Sequence, residues 1–227
     1  RTQFEGAPYG WSGDAVDGAL NVLIVAGLLR AQDERGDPIE LKNLERRAIG
    51  KTHFKIEAAT VSTPQRIQIR KLLQGLLGAQ AKPNEELQQV PVFLEKLRSL
   101  AQDAGGEAPK PPLPDTRFID DIRRSVGNEQ LLALYNQRDT LTETIKSWQD
   151  IGAKITDRWP QWDTVRRLAR HAQVLDATEP LRAQVQAVEE SRQLLADTDP
   201  CPGLINALAQ ALRAQLNTHA DAYKTQH

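Results

Sequence analysis

The chain has 227 residues, enough for one or two domains with a real core. Apolar residues make up 40%, aromatic residues 5% and charged residues 26%, and the prominence of Ala, Leu, Gln, Arg and Glu favours helix. A net charge of −1 marks neither a nucleic-acid-binding protein nor an acidic tail, and a single cysteine excludes a disulfide framework and a cysteine-rich zinc site and fits a reducing compartment. The longest apolar run, Ala19 to Leu29, is too short for a membrane span, and no signal-peptide pattern opens the sequence. Met is absent, even at position 1, which points to a piece of a longer polypeptide.

The aromatic turn Tyr9-Gly10-Trp11 comes first. Asp14 offers a helix N-cap with Asp17 in the first turn, and Val16, Leu20, Leu23, Ile24 and Gly27 follow one helical face. Gly27 loosens the end of that helix, and Leu28 to Gln32 leaves it as a strand before the charged turn 33–37. Helix, strand and turn in that order match the helix-plus-wing half of a winged helix, or an ordinary helix–strand corner. Residues 38–44 carry little signal. Thr52 to Val61 alternates, with Phe54, Ile56 and Ala58 on the side expected to be buried, and this strand would complete the wing. Thr63 and Pro64 read as a cap followed by a first-turn proline, opening a helix with Ile67, Leu72, Leu73, Leu76 and Leu77 that stops near Gly78. A further helix, 84–104, carries Leu87, Val90, Leu94, Leu97 and Ala101, with Pro91 expected to kink or split it.

Four prolines and two glycines fill residues 105–114, which reads as a stiff linker between two parts. Beyond it nearly everything is helical. Asp115 caps a short helix with Phe118, Ile119 and Ile122. From Leu131, the positions Leu134, Arg138, Leu141, Ile145, Trp148, Gly152 and Ile155 step by three and four, a heptad seam. Trp159-Pro160 should break it. A basic helix, 161–175, turns Trp162, Val165, Leu168 and Ala172 inward, and Leu181, Val185, Val188, Arg192 and Leu195 repeat the seam. Arg138 and Arg192 on those seams are read as snorkelling side chains. A last helix restarts at Asp199-Pro200-Cys201-Pro202 with the face Ile205, Leu208, Leu212, Leu216 and Tyr223. Long helices joined by short turns pack as an antiparallel hairpin or bundle.

The fold class expected is therefore mainly α. A winged-helix-like module with a small β wing occupies 1–104, a linker 105–114, and a helical bundle or antiparallel coiled-coil arm 115–227. The seam residues Leu131, Leu134, Leu141, Ile145, Trp148, Leu181, Val185, Val188 and Leu195 are candidates for pairing within the chain, with a partner, or with a second copy.

No motif for catalysis emerges. Gly50-Lys51-Thr52 imitates the tail of a P-loop, but Glu45 stands where the first Gly belongs and a strand follows where a helix is needed. His53, His171, His219 and His227 lack partners at metal-ligand spacing. Cys201, between prolines at a helix start, is placed where a thiol pKa can fall, yet no base accompanies it. The marked asymmetry is charge: between Lys42 and Lys71 lie eight basic and two acidic residues, a surplus of six in a chain of net −1. With Arg30, the residues Lys42, Arg46, Arg47, Lys51, Lys55, Arg66, Arg70 and Lys71 form a candidate phosphate-contacting face. The alternative is a solvated basic face paired with acids elsewhere. Arg158, Arg166, Arg167 and Arg170, beside Trp159 and Trp162, make a smaller basic face read as packing with a charged exterior.

Several stretches in order resemble the C-terminal region of the large P-loop ATPase of BREX phage-exclusion systems (the BrxC/PglY type). They are Pro8-Tyr-Gly-Trp-Ser-Gly-Asp-Ala-Val-Asp-Gly-Ala-Leu, Leu28-Leu-Arg-Ala, Val61-Ser-Thr-Pro-Gln, Gly105-Gly-Glu-Ala-Pro and Gly127-Asn-Glu-Gln-Leu. The resemblance implies a cytoplasmic bacterial defence protein that acts on phage DNA with a BREX methyltransferase and other components. ATP and Mg²⁺ are implied for the parent chain only, since this segment lacks the P-loop and its acidic partner. Two readings follow. In one, this non-catalytic segment touches duplex DNA through the wing and subunits through the arm; in the other it is purely a protein-interaction scaffold.

Overall fold

The computed structural model describes residues 2–36, 38–39, 44, 49–79 and 82–226. It is mainly helical, with a small antiparallel sheet, and it divides into two compact units: Arg1–Lys96 with Arg117–Thr142, and Leu97–Thr116 with Glu143–His227. Among the described residues, no helix is long and apolar enough to cross a membrane.

In the first unit, a one-turn helix α1 (Thr2–Glu5) precedes α2 (Gly13–Val25). The cap of α2 is Ser12, whose hydroxyl accepts from the Ala15 amide, so Asp14 falls inside the first turn rather than at the cap as expected. Gly27, at φ +71, then turns the chain into β1 (Leu29–Gln32), the central strand. β2 (Pro38–Ile39) pairs with it on one side and β3 (His53–Ile56) on the other, both antiparallel, with Ala31 opposite Ile39 and Phe54. Phe54 packs with Ala31, Leu44, Ile49, Leu20 and Ile24 under the sheet. The alternation in β3 places Ile56 on that same side, but the core stops short of it and Ile56 is 82% exposed.

α3 (Thr63–Leu77) opens one residue earlier than its Thr-Pro signal suggests. Ser62 is the cap, and Ser62 and Gln65 close a capping box, with Pro64 in the first turn. The helix ends at Gly78, in the left-handed region. Ile69, Leu72, Leu73 and Leu76 are buried. α4 (Glu86–Asp103) continues through Pro91 without splitting. Near the start of a helix a proline forfeits one backbone bond, and the fully buried Val90, Phe93 and Leu94 hold the turn around it. α5 (Arg117–Arg124) and α6 (Asn128–Asn136) complete the unit, α6 lying against both α3 and α5.

The heptad seam is divided between α6 and α7 (Arg138–His171) by Gln137, which has left helical geometry. Arg138 stacks on the Tyr135 ring at 4.6 Å and donates to the Tyr135 carbonyl at 3.0 Å, capping the end of α6 rather than snorkelling from a continuous helix.

In the second unit α7 runs through Trp159-Pro160 without the expected break. Trp162 and Val165, both fully buried, lock the turn after the proline, and the Thr164 hydroxyl donates to the Pro160 carbonyl. With Ala172, Val185 of α8 (Glu179–Glu190), Leu194, and Cys201, Leu204 and Leu208 of α9 (Cys201–Gln226), they form the core. The second seam ends early, because α8 stops at Glu190 and Arg192 turns into a left-handed conformation at φ +53. The outer half of α9 departs from its expected inward face, with Leu216 and Tyr223 exposed.

The Pro/Gly stretch 105–114 is built into this unit rather than spanning between parts. Gly105 has no room for a side chain, since a Cβ would lie 2.6 Å from the Pro112 carbonyl oxygen. The Arg192 guanidinium donates to the Gly106 and Lys110 carbonyls at 2.7 and 2.9 Å. The Leu194 amide donates to the Pro109 carbonyl, and the Lys110 ammonium sits 4.2 Å over the Trp159 ring. Carbonyls of this stretch, lacking a helix or sheet to join, find their donors in Arg192 (Gly106 and Lys110) and in the Leu194 amide (Pro109).

Candidate functional site

A polar node lies at the centre of the first unit. Glu86, at the start of α4, is 0% exposed and accepts from two arginines of α3, Arg66 at 3.1 Å and Arg70 at 2.6 Å. Arg66 and Arg70 stand four residues apart, so one helix face presents both. Arg66 also donates to the Asn128 side-chain oxygen at 3.4 Å. The Asn128 amide nitrogen in turn donates to the carbonyls of Gly27 and Ala59, each at 2.8 Å. Its backbone N–H reaches Glu57 at 3.3 Å, beside Arg30 at 4.0 Å from the same carboxylate. Gly127 sits at φ +60 where a Cβ would run into the Glu57 carboxylate. Five separate segments are thereby tied together, by charge-assisted bonds around Glu86 and Glu57 and by neutral amide bonds from Asn128: the α2–β1 turn, the chain after β3, α3, α4 and the start of α6.

This node reorganises the expected phosphate-contacting face. Arg66 and Arg70 are committed to a buried carboxylate, and Arg30 to Glu57. Lys51, Lys55 and Lys71 are exposed. Lys42, Arg46 and Arg47 lie outside the described residues. Helix α2, which leads into the β1–β2 hairpin, carries Asp14 and Asp17 and no Lys or Arg. The Gly50-Lys51-Thr52 segment forms a single 3-10 turn that runs straight into β3, so no helix N-terminus stands behind it.

What α2 does expose is apolar. Leu20 and Ile24 enter the small core, while Val22, Leu23 and Val25 face solvent, Val22 at 67%. Leu28 follows them one turn on and is exposed too. Ile56 stands beside it, because the Glu57 amide donates to the Leu28 carbonyl. The C-terminal half of α2 is apolar on nearly every side, the kind of surface that is covered in its working state. Phe4, Tyr9 and Trp11 add a second exposed group, aromatic and ahead of α2, with Phe4 stacked on Trp11 and tilted against Tyr9.

The candidate seam is core. Leu131 and Leu134 are fully buried, Leu141, Ile145, Trp148 and Val185 nearly so, and Leu181, Val188 and Leu195 pack at the edge of the second unit's core. Burial within the chain takes these side chains away from a partner. Cys201 is also buried, and burial, reinforced by the Asp199 carboxylate, pushes its thiol up to about 12. That reverses the expectation of a lowered value at a helix start: desolvation and a neighbouring anion outweigh the dipole. Arg158 of the smaller basic face is bound to the Leu194 and Ala196 carbonyls at 2.9 and 2.8 Å, as packing predicts. Among the described residues, no group of three or more His, Cys, Asp or Glu gathers as for a metal.

Glu86, Glu57 and Asn128 were invisible in sequence, since their partners lie 16 to 101 residues away and no spacing rule links them. No family model, curated protein or solved structure matches the chain.

Proposed function

We propose that this chain is a non-catalytic interaction segment of a BREX-type anti-phage ATPase, and that its first unit docks a protein partner on the apolar collar of α2. The observation that carries the reading is the exposed Val22, Leu23 and Val25 on a helix with no basic residue, with exposed Leu28 of the following turn and Ile56 of β3 alongside. A winged-helix-like module that entered a DNA groove with α2 would present the exposed Asp14 and an apolar face to phosphates, with no cation to steer it. The resemblance to the BREX ATPase rests on stretches with specific structural duties. Val61-Ser-Thr-Pro-Gln forms the capping box, Gly127-Asn places the node, and Gly105-Gly fits under Arg192. ATP hydrolysis, which the resemblance implies for the parent protein, belongs outside this segment. Here Lys51 precedes a strand.

DNA contact by the wing is the second reading, favoured by His53 and Lys55 exposed on the edge strand β3 with Lys51 just before it. Fluorescence anisotropy with duplex DNA over a salt series separates the two. The scaffold reading expects no saturable binding at physiological salt. Saturable binding that weakens steeply with salt and disappears in the Lys51→Glu/Lys55→Glu variant would replace it with the DNA reading.

A further inference from the structure

We propose that the groove between α7 and α8 binds a phosphate-bearing small molecule. The groove has a volume of about 640 Å³, the size of a small-ligand site. Arg166 and Arg170 line it from α7, one turn apart, and Arg182 lines it from α8. Arg166 and Arg170 offer two guanidiniums to the concavity, forks of the kind that bind phosphate bidentately, with Arg182 within reach on the facing helix. Glu189 and Glu190 line the same groove, yet neither Arg166 nor Arg170 is held by an ion pair among the described residues. Glu190 accepts instead from Gln186 at 2.7 Å. Arg182 has only a long contact to Glu179, at 3.8 Å, and its Nε is shielded from water without an acceptor. A phosphate that drew this guanidinium into the groove would supply one.

Positive and negative groups thus stay apart within one concavity. A ligand with a phosphate and, a few ångströms away, hydroxyl or amino donors satisfies both sets at once, as a nucleoside monophosphate or a sugar phosphate does. This site lies in the second unit and is independent of the collar on α2.

The test uses the full chain and side-chain NMR of the arginine Nε–Hε groups, titrated with inorganic phosphate, a nucleoside monophosphate, and chloride at matched ionic strength. Expected are saturable shifts of Arg166, Arg170 and Arg182 with both phosphates. The Arg166→Gln and Arg170→Gln variants each weaken binding about tenfold. The Arg213→Gln control, at an exposed position of α9, leaves it unchanged. Both substituted groove residues are exposed, so the fold survives and circular dichroism checks it. Tighter binding of the nucleotide assigns the carboxylates to its donors, and equal binding assigns the site to free phosphate. Shifts equal to those of chloride, or binding untouched by both variants, would overturn the proposal.

Discussion

Replacing Glu86 tests the node most severely. Glu86→Ala leaves Arg66 and Arg70 facing each other in a site sized for a carboxylate, with side chains only 17% and 22% exposed. Removing one partner of a buried ion pair costs roughly 3–5 kcal/mol, because a charge stays behind without compensation. The arginines retain some hydration, so the low end, about 3 kcal/mol, applies here. For a chain of this size that is a fall in Tm of about 6–12 °C. Thermal unfolding followed by circular dichroism, with urea denaturation for the free energy, measures it. The apolar replacement Arg66→Met/Arg70→Leu/Glu86→Met should lie within about 1 kcal/mol of the parent, since it removes the desolvated charges together. A loss under about 0.5 kcal/mol for Glu86→Ala would mean that the node behaves as an exposed surface pair, and the reasoning would fail.

Four other perturbations follow from the geometry. Gly127→Ala should cost about 1–3 kcal/mol in urea unfolding, combining a left-handed backbone with the Glu57 carboxylate in the way, whereas Gly75→Ala, in open space within α3, should gain about 0.5–1 kcal/mol. Pro160→Ala should stabilise the chain by about 2 kcal/mol, restoring a backbone bond in α7 at an exposed position; any destabilisation would mean the ring packs usefully. Cys201 should react with a thiol reagent at pH 8 only after denaturation. Its thiol pKa is raised on folding from 9.0 to about 12, so its contribution to stability is complete below pH 9 and is lost as pH climbs toward 12. A pH–stability profile of Cys201→Ala that tracks the parent over that window would contradict this.

Local signals carried well from sequence to structure where one element decides its own fate. The helix into β1, the existence of β3, the helix ending at Gly78 and the inward Trp162, Val165 and Ala172 are all of this kind, whereas the inward face read into β3 holds only at Phe54, since Ile56 and Ala58 are exposed. The misplacements are instructive. Ser12 and Ser62 took the caps from Asp14 and Thr63, one or two residues away, because several adjacent side chains can cap and packing chooses among them. Pro160 did not break α7, since a buried tryptophan two residues on outweighs one lost backbone bond. The stretch 105–114 looked like a linker by composition, but Arg192 and Leu194, some 80 residues later, supply its donors. The node failed to show for the same reason. A basic run is legible in sequence, whereas the single glutamate that captures two of its arginines is not.

The proposed protein-docking collar on α2 and its neighbours is open to a direct binding test. Biolayer interferometry of the full chain against the purified components of a BREX system, the methyltransferase among them, addresses it directly. Three forms are compared: the parent, Val22→Asp/Ile56→Asp, and Lys51→Glu/Lys55→Glu. Saturable binding to one component is expected, weakened at least tenfold in the first variant and kept in the second. Binding that survives Val22→Asp/Ile56→Asp, or that none of the components shows, would contradict it.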